Sequence, residues 1–217
     1  MPGTLCASTP APVVIAAEAT EERWVKVHDA YTLTREGEPL LGRHVARAAV
    51  YLVRDPRDVA ISLAYHNSTT IDEAITYMNA ADGALCRSRK GLPPQLRQKL
   101  TGWSGHVTSW LDQTDVPVHL VRYENLRADP VGVFNAALEG AGRSVTLDAI
   151  TRAVSHADFS ELQRQESEKG FGERMSYTAP FFRAGRVSGW RRVLTAEQIT
   201  AIEHCHAVVM ARLGYAL

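Results

Sequence analysis

The chain has 217 residues, 45% hydrophobic and 22% charged, enough for one domain with a sizeable core and a squeeze for a second full one. Lys+Arg and Asp+Glu balance at 24 each, so no global field speaks for nucleic acid or an anionic membrane, and any anion site must be local. Cys6, Cys86 and Cys205 are too widely spaced for a disulfide framework or a zinc site, no apolar run spans a bilayer, and no charged n-region opens the chain, so a cytoplasmic protein is expected.

Residues 1–22 form an irregular N-terminal segment with one β-like run, Val13-Val14-Ile15, and residues 23–217 form the domain. Arg23 to His28 (RWVKVH) alternates as a strand does, and a loop rich in charge, Gly and Pro covers about 34–43. Residues 48–53 predict a buried strand and 56 to about 66 the helix after it. Two helices are expected over 70–90 and 94–112, the second with Leu96, Leu100, Trp103, Val107, Trp110 and Leu111 on one face. Pro117 to Tyr123 reads as another strand, and Asp129-Pro130 opens a helix through about Glu139. Thr146–Val154 and Thr195–Leu213 read as helices with threonine N-caps, the latter with a capping box to Gln198. Gln163–Gly189 is polar and aperiodic, which marks it as functional or disordered. Strands alternating with helices argue for an α/β fold with a mainly parallel sheet flanked by helices in three layers.

In such folds ligands sit beyond the carboxyl ends of the strands. Arg54 is the first residue past the strand at 48–53. Asp55 suits an N-cap, Pro56 the first helical position, and Asp58 extends the acidic capping pattern. With Ser62 early in the helix, this is a receptor for a phosphate dianion; equally, Arg54 pairs with Asp55 or Asp58 and Ser62 merely packs. His28 reads as a strand-end residue on local chemistry alone. His204-Cys205-His206 reads as ordinary helix, since helical neighbours at i and i+2 diverge, and no metal site is expected. The Trp103/Trp110 stripe is helix core and not a base-stacking platform.

Taken together, YLVRDPRDVAISxxYH, VKVHD, VRYENLRADP and FFRAGRVSGWRRVLTAEQ resemble, in order, four motifs of the cytosolic-type sulfotransferases, which use 3′-phosphoadenosine-5′-phosphosulfate (PAPS). The resemblance implies a P-loop NTPase-like α/β fold and sulfuryl transfer to a small-molecule hydroxyl, phenol or amine acceptor. It implies that Arg54, Ser62, Arg183 and Gly185 hold the 3′-phosphate, that Tyr123 and Phe159 lie near the adenine, and that His28 is the general base with Lys26 assisting. A core role for Phe159 is equally open. Departures are Asp55 for a more usual Asn, Ala184 for Lys and Ser188-Gly189 for Gly-Asp, with Arg186 the candidate substitute cation.

The family also carries, upstream, a strand and a Lys-Ser/Thr-Gly-Thr-x-Trp loop around the 5′-phosphosulfate. Here the first Lys is Lys26, and Gly3 is the only glycine before Gly37. The expectation is an N-terminally incomplete fold, marginally stable or reliant on homo-oligomerisation. It is either the truncated form of a normal enzyme or a degenerate member that binds 3′,5′-phosphoadenosine (PAP) or a protein partner without catalysis. A nucleotide kinase is disfavoured because no GxxxxGK[ST] occurs.

Overall fold

The computed structural model describes residues 22–39, 46–85, 98–172 and 180–217. The Val13-Val14-Ile15 run, Cys6, Cys86 and the predicted Leu96 contact lie outside them. The elements are strand β1 (Ala49–Val53), helices α1 (Pro56–Asn67) and α2 (Ile71–Asn79), strands β2 (Ala84–Leu85) and β3 (Gln98–Lys99), helix α3 (Trp103–Leu111) and strand β4 (Val118–Arg122). Helices α4 (Tyr123–Ala128), α5 (Pro130–Gly140), α6 (Leu147–His156), α7 (Phe159–Lys169) and α8 (Ala196–Arg212) follow, with a 3₁₀ turn at Gly189–Arg192 before the last.

Strands β1 and β4 pair in parallel, Ala49 opposite Val118 through Val53 opposite Arg122. Alternation sends Tyr51, Val53 and Leu120 to one face, where they join Val107 of α3, Val209 and Met210 of α8, and Leu213 just past its end in one apolar cluster. A second cluster unites Ala60 and Ile61 of α1, Ile75 and Met78 of α2, Trp190 and Ile202. The parallel pair flanked by helices is the α/β architecture expected.

The predicted caps are present. Asp55 accepts from the Arg57 amide with Pro56 at the start of α1, and Thr146 caps α6. Thr195 and Gln198 close their reciprocal box on α8. Asp129 likewise caps α5 ahead of Pro130.

Three expectations are corrected. Residues 22–28, exposed except for the half-buried Val27, form no strand, because alternation alone makes no ladder. Among the described residues, which exclude 86–97, the helix expected over 70–90 stops at Asn79 and the one expected over 94–112 begins at Trp103. Between them β2 and β3 pair antiparallel, and the amides of Leu100 and Thr101 both donate to the Gly83 carbonyl. There the backbones cross so closely that a Cβ on Gly83 would lie 2.5 Å from the Thr101 oxygen, and one on Gly102 2.8 Å from the Met78 oxygen. The aperiodic region from Gln163 begins inside a helix, α7. It is held by an Asp158 cap and by Arg164 bridging Glu161 and Glu168 at helical spacing, with no broad apolar face to announce it. Among the described residues no helix is long and apolar enough to cross a membrane.

Arg57 of α1 is 3% exposed and is bound by Asp55 through Nε at 2.9 Å and Nη2 at 2.8 Å, and by Glu203 of α8 through Nη1 at 2.7 Å. Its guanidinium covers the Trp190 ring at 4.0 Å. Replacing Arg57 by Ala leaves buried acid uncompensated, so urea denaturation should show a loss of about 3–5 kcal/mol. His206, 3% exposed, meets Ser104 Oγ through Nδ1 at 2.9 Å, and burial holds its pKa down at about 4 against an ordinary 6.5. Because the unfolded chain takes up this proton first, stability is full above pH 6.5 and falls as the pH drops toward 4. The expected contribution is about 2–4 kcal/mol, and a His206→Gln variant should lose this part of the slope in denaturation curves taken from pH 7 to pH 4.

Candidate functional site

The turn from β1 to α1 is built so that Arg54 faces outward while its neighbours are locked. The Asp55 amide donates to Glu124 Oε1 at 3.0 Å, and Glu124 Oε2 accepts from the Tyr215 hydroxyl at 2.9 Å. Glu124 belongs to α4, which follows β4, so the carboxyl ends of both parallel strands are tied together. The Arg54 guanidinium then stacks on the Tyr123 ring at 4.4 Å. Its Nη2 donates to the Arg186 carbonyl at 2.6 Å and to Asp58 Oδ2 at 3.3 Å, while Nε is buried with no hydrogen-bond partner.

The segment from Phe181 to Trp190 lies over this cluster and is fastened at both ends by carboxylates. Glu166 of α7, 7% exposed, accepts the Phe181 amide at 2.6 Å and the Phe182 amide at 2.9 Å. Asp58, 3% exposed, accepts the Ser188 amide through Oδ2 and the Trp190 amide through Oδ1, both at 2.9 Å. In the middle, the Tyr123 hydroxyl donates to the Gly185 carbonyl at 3.0 Å. Gly185 has φ +57°, and a Cβ there would sit 2.7 Å from the Phe159 ring, so the loop passes this close only because the residue is glycine.

Arg54, Tyr123, Phe159 and Gly185 therefore meet at one place. Arg183 joins from the side, its guanidinium over the Tyr65 ring of α1 at 3.9 Å. Ser62 is exposed on α1, four residues after Asp58 and three before Tyr65, which puts it on the helix face this loop crosses. Arg186 contributes a carbonyl to Arg54, and its side chain is exposed. Asp58 does not cap α1 as its position suggests; it binds the loop and Arg54 instead. The pairing of Arg54 with Asp58 and its outward display thus coexist.

Lys26 and His28 are anchored separately. Both are exposed, and the segment is held to α3 through its main chain. The His28 carbonyl lies 3.1 Å from His106 Nε2, and the Asp29 carbonyl accepts Trp110 Nε1 at 3.0 Å. His106 Nδ1 lies in turn 2.7 Å from the Tyr51 hydroxyl of β1. Sequence reasoning missed Glu166 and His106, and gave no role to Tyr65 although it stands in the YLVRDPRDVAISxxYH stretch. Glu166 carried one faint signal, an acid in an Asp-initiated polar stretch; His106 looks like any helix residue.

The chain matches the family model of the sulfotransferase domain over residues 45–214, a stretch that includes Arg54 through Gly185 and leaves Lys26 and His28 outside. It is 25% identical over 166 residues to cytosolic sulfotransferase 17 of Arabidopsis thaliana, covering 71% of this chain and 46% of that protein. It is 22% identical over 210 residues to sulfotransferase 1A1 of Mus musculus, covering 94% and 68%. Among solved structures it resembles mouse sulfotransferase SULT7A1 complexed with PAP, at a TM-score of 0.61 and 19% identity over 82% of this chain and 63% of that one. It also resembles retinol dehydratase in a complex with retinol and PAP, at 0.55 and 21% over 75% and 47%. The chain spans 46% and 48% of the length of the two Arabidopsis relatives it matches. The structural likenesses establish the fold; with the family match over most of its length, they show that this chain belongs to the sulfotransferase domain family.

Proposed function

We propose that the protein transfers a sulfuryl group from PAPS to the hydroxyl, phenol or amine of a small-molecule acceptor in the cytoplasm, and that the Arg54 cluster receives the nucleotide's 3′-phosphate and adenine. One observation carries the reading. At the carboxyl ends of a parallel strand pair, Arg54 has a buried, unpartnered Nε and gives its Nη2 to a main-chain carbonyl of a loop that Gly185 allows to come close. A phosphate oxygen is a stronger acceptor for that guanidinium than a peptide carbonyl. Ser62 and Arg183 border the same helix face, and Tyr123 and Phe159 supply flat apolar surface for a base. Both structural neighbours named above hold PAP, which fits this placement.

Sulfuryl transfer, like phosphoryl transfer, depends on in-line positioning and on neutralising charge at the leaving phosphate. In this reading His28 takes the proton of the acceptor and Lys26 stabilises charge at the transferred group. The acceptor is a small molecule, and neither nucleic acid nor a membrane surface is needed.

Two measurements decide it. Calorimetry should show PAP binding to the wild type and about 10- to 100-fold weaker binding to Arg54→Ala, the loss expected for charge-assisted hydrogen bonds. A wild type that leaves PAP unbound would sink the nucleotide reading. Transfer of radiolabelled sulfate from PAPS to a phenol should drop about 10²- to 10⁴-fold in His28→Ala, and undiminished transfer would remove His28 as the base. PAP binding without any transfer by the wild type would select the alternative of a nucleotide-binding, non-catalytic member.

A further inference from the structure

We propose that His106 is a positioning residue for His28: it holds the His28 main chain by a donated hydrogen bond, and Tyr51 fixes the tautomer that makes the donation. The inference rests on the reading of His28 as the base.

A carbonyl oxygen only accepts, so the 3.1 Å approach of His106 Nε2 to the His28 oxygen requires a proton on Nε2. Burial pulls the His106 pKa below its ordinary 6.5, and the nearby His28 charge works in the same direction, while the His28 carbonyl contact and Asp29 oppose. The ring is therefore neutral at neutral pH, and Nδ1 carries a lone pair. That lone pair accepts the Tyr51 hydroxyl at 2.7 Å. Burial raises the Tyr51 phenol pKa, so the hydroxyl keeps the proton it donates. Tautomer and direction follow without ambiguity: Tyr51 O–H to Nδ1, then Nε2–H to the His28 oxygen.

The relay is stiff. The Tyr51 and His106 rings stack with centroids 5.7 Å apart and planes 26° from parallel, and Trp110 lies 6.2 Å from Tyr51. Trp110 in turn donates to the Asp29 carbonyl, one residue beyond His28. Tyr51 sits in β1, three residues before Arg54. The strand that ends in the proposed phosphate grip thus also fixes, through Tyr51 and His106, the main chain of the proposed base. A segment that forms no ladder of its own acquires a defined place relative to Arg54. Misplacement by about 1 Å costs on the order of 10²-fold in rate, which is why such support matters.

The test has two arms. Nitrogen-15 histidine spectra of the wild type at pH 7.5 should show His106 as the Nε2–H tautomer, with mixed tautomers in Tyr51→Phe; an Nδ1–H wild type overturns the relay. In sulfuryl transfer, His106→Leu should lower kcat about 10- to 100-fold with KM for PAPS within about twofold, and His106→Gln, whose amide reaches the same carbonyl, should return kcat to within about threefold. Unchanged kcat in His106→Leu, or a loss that Gln does not restore, refutes the positioning role. If the wild type binds PAP but transfers nothing, the catalytic part of the functional reading fails on its own. Positioning is then read from labelled His28: its ring signals should stay sharp in His106→Gln and broaden in His106→Leu, and equal line widths in both reject it.

Discussion

Everything near the strand ends hangs on a short acid–base turn, Asp55-Pro56-Arg57-Asp58. Arg57 is buried, and burying a guanidinium is tolerable only because Asp55 meets it with both oxygens and Glu203 takes a third N–H. The Trp190 ring then closes over the pair. This knot joins α1 to α8 and to the 3₁₀ turn. Because Asp55 is spent on Arg57 and on the helix cap, Arg54 is left to face the mouth of the sheet.

The second acid of the turn reaches much further along the chain. Asp58 receives two amides from Ser188 and Trp190, some 130 residues away, and Glu166 receives two from Phe181 and Phe182. An aperiodic loop, with no ladder or helix to satisfy its amides, is given a fixed course by two buried carboxylates. The loop carbonyls at Gly185 and Arg186 then fall on Tyr123 and Arg54. Structure and the proposed anion recognition share the same groups here: the arginine that would greet a phosphate is held by the loop's own oxygen.

The two halves of the proposed site differ in how they are held. The Arg54 half is gripped by side-chain acids and lies within the stretch that matches the family. The His28 half is gripped by its main chain, through carbonyls that accept from His106 and Trp110. The Asp29 carboxylate adds a third hold by accepting the Lys99 amide at 2.7 Å.

Local chemistry was readable wherever a residue's role is discharged within a few positions. Asp55, Thr146 and Thr195 cap their helices because a cap needs only the next turn's amides, and β1 and β4 announce themselves by apolar runs ending at Arg54 and Tyr123. Arg54, Ser62, Tyr123, Phe159, Arg183 and Gly185 were singled out only through the family resemblance, since the contacts of Arg54 and Tyr123 lie far along the chain. What folding decided was every role whose partner is remote. RWVKVH alternates like a strand yet forms none, since a strand exists only where another backbone supplies its ladder. The helices expected over 70–90 and 94–112 gave way in part to β2 and β3 respectively, since the crossing at Gly83 and Gly102 is a contact between backbones that helix periodicity does not report. α7 hid because its stretch is polar and carries charge pairs and a cap but no broad apolar face, and Glu166 and His106 were silent because a buried carboxylate or imidazole declares its purpose only when the amide or carbonyl it meets has been brought to it.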